Sequence, residues 1–260
     1  MAEPIDTAAY EPRPTEQTEH APSGLNQLQR VVDTYVAPEK TFLDIRRNAS
    51  WWLPFLLSVC ISLLFIYSVD RQIGFEKIAE VNINRSAQAQ ERMSLMPEAQ
   101  RAQAMHTIAA TTRIFSYASP VTSLIFGLVI AAILMVSFNF GLGARESFNR
   151  YLAIWFYASL PFAIKFILAA ITIFAGASTD NFDIQNPVGT NVGWYLSSDT
   201  PLWLRTMLSS VDIFTIWTVV LLIIGCATVA RVKRSSAAVV IVGWWVLAIV
   251  GFTAMAAMQG

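Results

Sequence analysis

The chain has 260 residues, 55% of them hydrophobic, with a mean hydropathy of +0.49 and only 14% charged residues, where a soluble domain carries roughly a quarter. That much apolar surface cannot be hidden in one aqueous core, and because it is gathered into long blocks with the charges between them, lipid is its natural solvent. Lys plus Arg equals Asp plus Glu at 18 each, so no positive excess points to a nucleic-acid partner. The two cysteines, Cys60 and Cys226, lie inside apolar blocks, and no disulfide framework is expected.

Met1 to Gly24 holds Pro4, Pro12, Pro14 and Pro22 among acidic and polar residues. It reads as a disordered tail rather than a cleavable signal peptide, having no basic region followed by an apolar stretch. From residue 25 to 50 two short juxtamembrane helices are expected. Leu25, Leu28, Val32, Tyr35 and Val36 recur at helical spacing, so Gly24 to Val36 reads as an amphipathic helix lying on the membrane surface. Pro38 suits the start of a second, with Phe42 and Ile45 on one face, and Asn48 to Ser50 ends it.

Five spans follow. Trp51 to Val69 is the first, of about the minimum length, with Pro54 tolerated in its first turn. Asp70 to Tyr117 is rich in Ala, Gln, Glu and Arg, and Pro97 divides it, so two amphipathic helices forming an external hairpin are expected there. Ala118 to Leu142 and Tyr151 to Ala175 are the second and third spans, joined by a linker with Arg145, Glu146 and Arg150. The stretch Gly176 to Ser210 has the turn residues Asn186-Pro187 and Val188-Gly189, with Trp194, Tyr195 and Trp203 suited to an interfacial belt. Val211 to Ala230 and Ala237 to Met258 complete the set, separated by Arg231, Lys233 and Arg234. The fold class is therefore all-α, a polytopic transmembrane helical bundle.

Orientation follows from basic residues in short loops, which resist translocation. The two hairpin linkers hold two and three of them, whereas Gly176 to Ser210 offers only Arg205 against Asp180, Asp183 and Asp199. This places the N-terminus in the cytoplasm and the C-terminus outside. The six basic residues of Asp70 to Tyr117 oppose that assignment, offset by the segment's length and its five acids.

Nothing reads as a catalytic centre. The zinc, serine-nucleophile and nucleotide signatures are missing, and His20 and His106 read as solvated surface histidines rather than metal ligands. No cofactor is called for. Lys165 is the basic residue within a span, where charge is costly and often functional. Asp212, at the outer start of the fourth span, is a possible counter-charge, although its register places it about half a leaflet nearer the surface. The two read as a structural pair, a snorkelled lysine, or a proton or substrate relay. Asn139, toward the inner end of the second span, is expected to bond a neighbouring helix.

Four stretches, taken in order, carry a resemblance: Val36-Ala37-Pro38-Glu39-Lys40-Thr41-Phe42, Ser50-Trp51-Trp52-Leu53-Pro54, Asn186-Pro187, and Val211-Asp212-Ile213-Phe214-Thr215-Ile216-Trp217. Together with the five-span layout from about Leu25 onward, they resemble the Yip family of multi-span membrane proteins, particularly its bacterial branch. The resemblance implies a cytoplasmic N-terminus, five helices and a short external C-terminus. Eukaryotic members interact with Rab GTPases and carry Asp-Leu-Tyr-Gly-Pro near the first span; this chain has Asn48-Ala49-Ser50-Trp51-Trp52 there, so Rab binding is not carried over. The expectation is a non-enzymatic inner-membrane protein, embedded in the lipid bilayer, of a membrane-organising, trafficking-type or partner-recruiting kind, which engages protein partners or copies of itself through its amphipathic N-terminal segment and external helices. The alternative is a transporter, or a membrane subunit of one, built around Lys165, Asp212 and Asn139.

Overall fold

In the computed structural model, residues 24–84, 86–176, 182–184, 186–197 and 200–258 are described. The tail, apart from Gly24, and with it His20, lies outside them.

Helix α1 (Gln27–Val36) opens with a reciprocal cap, in which the Gln29 N–H donates to Asn26 Oδ1 at 2.8 Å and the Asn26 N–H donates to Gln29 Oε1 at 3.0 Å. Pro38 forbids its continuation and starts α2 (Pro38–Ile45). The first span is α3 (Trp52–Gln72). Between the first and second spans lie three helices, where the sequence reading expects two: α4 (Phe75–Asn84), α5 (Ala87–Ser94) and α6 (Glu98–Tyr117). The extra division falls at Ser86, whose side chain caps α5 by accepting the Ala89 N–H at 3.3 Å.

The second span is α7 (Ser119–Val136), prolonged by one π-helical turn over Ser137–Gly141. The third is broken in two. Its halves are α8 (Phe148–Ala158) and α9 (Pro161–Phe174), and the break follows from Pro161, which has no N–H for the Tyr157 carbonyl. A short 3₁₀ turn (Val192–Tyr195) and α10 (Leu202–Ser209) precede the fourth span, α11 (Ile213–Ala230), and the fifth, α12 (Arg234–Ala257). The five spanning segments are long and apolar enough to cross a membrane, with hydropathies from 1.8 to 2.5. Among the described residues there is no sheet, only an isolated bridge between Asn191 and Asp212.

Two apolar clusters organise the packing. The larger joins α2, α7, α8 and α11, with Phe42, Ile45, Tyr151, Phe156 and Leu221 buried together. The smaller lies toward the far end of α3 and joins Phe65 and Val69 to Ile78 of α4, Ala109 of α6 and Ile173 of α9. Residues 25 to 50 are thus part of the bundle: Phe42 and Ile45 do share a face, as their spacing implies, but both are wholly buried. Helix α1 is turned so that Arg30 and Thr34 face inward, while Leu28, Val32 and Val36 are 67%, 58% and 74% exposed.

Close approach of α2 to α11 depends on Gly225. A Cβ at this position would lie 2.9 Å from both Ile154 and the Phe42 ring. Replacement Gly225→Val is expected to push α2 off α11 and destabilise the bundle by roughly 1–3 kcal/mol, read as a lower melting temperature in detergent. The same change at Gly243, whose Cβ would meet nothing within 4 Å, is expected to leave stability unaltered.

Candidate functional site

The structure brings Lys165 and Asp212 into contact, with Lys165 Nζ 3.1 Å from Asp212 Oδ2 and both side chains almost wholly buried. The depth difference inferred from the sequence is closed by unequal span lengths. The third span has 27 residues and the fourth 18, about 40 Å against about 27 Å of helix, so the start of α11 falls level with the interior of α9.

Asp212 caps α11 through Oδ1, which accepts the Phe214 N–H at 2.9 Å. Its other oxygen accepts from Lys165, from the Thr190 hydroxyl and from Asn191 Nδ2 at 3.2 Å. Asn191 in turn exchanges amide hydrogen bonds with Asn186, the shorter at 2.7 Å, and its Oδ1 accepts the Trp194 N–H at 3.1 Å. Five polar residues therefore tie the connection between the third and fourth spans down onto α9 and α11. A composition rich in turn residues marked this connection, but its spacing did not reveal that Thr190 and Asn191 turn inward.

Asn139 is elsewhere, in the π-helical turn. Its amide donates to the Glu146 carbonyl at 2.8 Å and accepts the Glu146 N–H at 3.2 Å and the Tyr151 hydroxyl at 2.9 Å. It bonds the neighbouring helix, as expected, and fastens the turn between the second and third spans. Lys165, Asp212 and Asn139 are thus not one site.

A third polar knot was not foreseen. Arg30, 2% exposed, donates from Nε to Asp44 Oδ2 at 2.6 Å and from Nη1 to the Asn48 carbonyl at 2.9 Å. The Thr34 and Thr41 hydroxyls donate to the Arg30 carbonyl at 2.7 and 3.0 Å. The knot reaches the broken third span: Tyr157 donates to Gln27 Oε1 at 3.0 Å, and Tyr35 donates to the Leu160 carbonyl, next to Pro161, at 2.9 Å. Burial pushes the Tyr35 hydroxyl up to about 12, so it remains a protonated donor at neutral pH. The sequence signal is an Arg and an Asp in two successive short helices divided at Pro38, so no single helical face joins them.

The basic turns share one end of the bundle. Arg150 ion-pairs with Glu146 and donates from Nη2 to the Arg46 carbonyl at 2.8 Å, while Arg234 pairs with Glu39 at 3.0 Å. At the opposite end of α3, Asp70 accepts from Arg113 and from the Tyr117 hydroxyl, each at 2.9 Å. Among the described residues no group of three or more His, Cys, Asp or Glu side chains could hold a metal ion.

A family model for the Yip1 domain matches residues 32–255, from within α1 into the last turn of α12. The chain belongs to the Yip1 domain family. No curated protein and no solved structure matches it. The Yip1 domain is thus an all-α, multi-pass membrane protein in this chain, and the matched region takes in Arg30's partner Asp44 and all three of Asn139, Lys165 and Asp212.

Within this domain the Lys165 and Asp212 pair has a defined mutational signature. Asp212→Asn retains a good cap but leaves a buried lysine without counter-charge, and a loss of roughly 3–5 kcal/mol is expected. Adding Lys165→Met to Asp212→Asn is expected to restore most of the lost stability, measured as thermal unfolding of the single and double variants in one detergent.

Proposed function

We propose that this Yip1 domain protein is a non-enzymatic membrane scaffold that organises or recruits protein partners, or further copies of itself, in a bacterial inner membrane. The observation that carries this reading is that the buried charged groups within and beside its spans are paired with one another. The Asp212 carboxylate takes four protein donors, Asn139 is bonded to a turn and a tyrosine, and Arg30 is held by Asp44 and a carbonyl. A relay needs groups free to exchange protons or ligands in sequence. These groups hold segments together instead.

The convergence of Arg46, Arg150, Arg231 and Arg234 at one end supports a cytoplasmic N-terminus and cytoplasmic turns, because positive residues are retained on that side. Helices α4 to α6 would then be external, their positive charge moderated by the Arg113 and Asp70 and the Lys77 and Glu80 pairs. That unit and the N-terminal pair are the two surfaces offered for partners.

Transport is the second reading, favoured by one observation: a buried lysine one turn beyond a broken spanning helix, since discontinuous helices recur at transporter binding sites. Flux measurements on reconstituted vesicles separate the two. Scaffolding predicts that Lys165→Met changes no ion or solute flux, and that photocrosslinkers at Val32 and on α6 yield discrete protein adducts in native membranes. A flux that disappears in Lys165→Met, or a strictly monomeric protein with no adduct at either place, contradicts it.

A further inference from the structure

At the basic end, α2, the turn between the second and third spans and the turn between the fourth and fifth enclose an open hollow of about 580 Å³. Its two carboxylates are already claimed, Asp44 by Arg30 and Glu146 by Arg150. Lys40, Arg46 and Arg231 line the same hollow with no carboxylate partner among the described residues, and Arg47 adds another positive charge to the wall. Three elements far apart in sequence thus converge their cations on one concavity.

Arg231 is the sharpest indication that this arrangement is selected. It ends α11 in the left-handed conformation, φ 55° and ψ 40°, the one non-glycine residue with positive φ among the described residues. Glycine or asparagine occupies such a position at less cost. An arginine held there, with its side chain on the wall of a basic hollow, fits a group kept for its charge. Leu25 and Leu43 line the same hollow, and Leu43 is 48% exposed. The wall therefore joins positive charge to an apolar edge where the spans end.

We propose that this hollow binds the phosphate of an anionic phospholipid headgroup. Guanidinium and ammonium groups recognise phosphate by charge-assisted hydrogen bonds, and basic pockets between spans on the cytoplasmic side take such headgroups. A headgroup is favoured over free phosphate because the apolar edge can follow the first methylenes of its chains.

The test uses the full chain reconstituted in phosphatidylcholine vesicles with and without phosphatidylglycerol, then extracted in mild detergent, with retained lipid counted by native mass spectrometry. Phosphatidylglycerol is expected to be retained in preference, and Lys40→Gln, Arg46→Gln and Arg231→Gly each to weaken that retention roughly fivefold. Arg231→Gly is decisive, because glycine suits the left-handed position and the melting temperature should not fall. Arg92→Gln on α5, at the other end, serves as the unaffected control. Equal retention of the two lipids, or full retention by Arg231→Gly, overturns the proposal. So does complete displacement of the lipid by inorganic phosphate, which would assign the hollow to a soluble anion.

Discussion

Within the hydrocarbon core no water is at hand to satisfy a backbone or side-chain polar group, so every interruption of a spanning helix has to be closed within the protein, by local backbone bonds or by neighbouring segments. This constraint governs the whole bundle. The third span is interrupted at Ser159 and Leu160 ahead of Pro161, and the side chain that meets the Leu160 carbonyl comes from α1, through Tyr35. The fourth span begins level with the interior of the third, and its first turn is capped by Asp212, whose charge is met by Lys165 and by two residues of the preceding connection. Peripheral segments thereby become structural members. Removing Lys165 or Asp212 would leave a buried charge unpaired, whereas the Leu160 carbonyl would keep the Ala163 N–H at 2.9 Å.

The same reasoning explains the inverted face of α1. In water an amphipathic helix turns its apolar stripe toward the core, but here the interior beside α1 holds the polar knot. Arg30 and Thr34 accordingly point inward, and Leu28, Val32 and Val36 outward. A buried ion pair contributes little net stability when its desolvation cost is counted. Arg30 and Asp44 join α1 to α2, the helices that carry Tyr35 against the broken span and Phe42 against Gly225.

Much of this architecture was legible in the residues. The five apolar blocks are the five spans, and Asn139 bonds a neighbour as an isolated intramembrane amide should. Boundaries differ where polar and charged residues continue a helix beyond the apolar block, as at Arg234 and at Asn149 and Arg150. The pairing of Lys165 with Asp212 is visible in the sequence as chemistry but not as distance, because relative depth depends on span length and on the break at Pro161. The knot around Arg30 left no periodic trace at all, being made between a helix and its successor across a turn. Its signal was only that an arginine and an aspartate each sit within otherwise apolar-stippled helices.

If polar groups bind the N-terminal pair and the connection between the third and fourth spans into the bundle, those segments should share its protection from solvent. Hydrogen–deuterium exchange of the protein in lipid nanodiscs measures this most directly. Amides of α1, α2 and residues 190–194 are predicted to exchange as slowly as those of α8 and α11. Exchange of these segments at the rate of an unstructured peptide, with the spans still protected, would contradict the account.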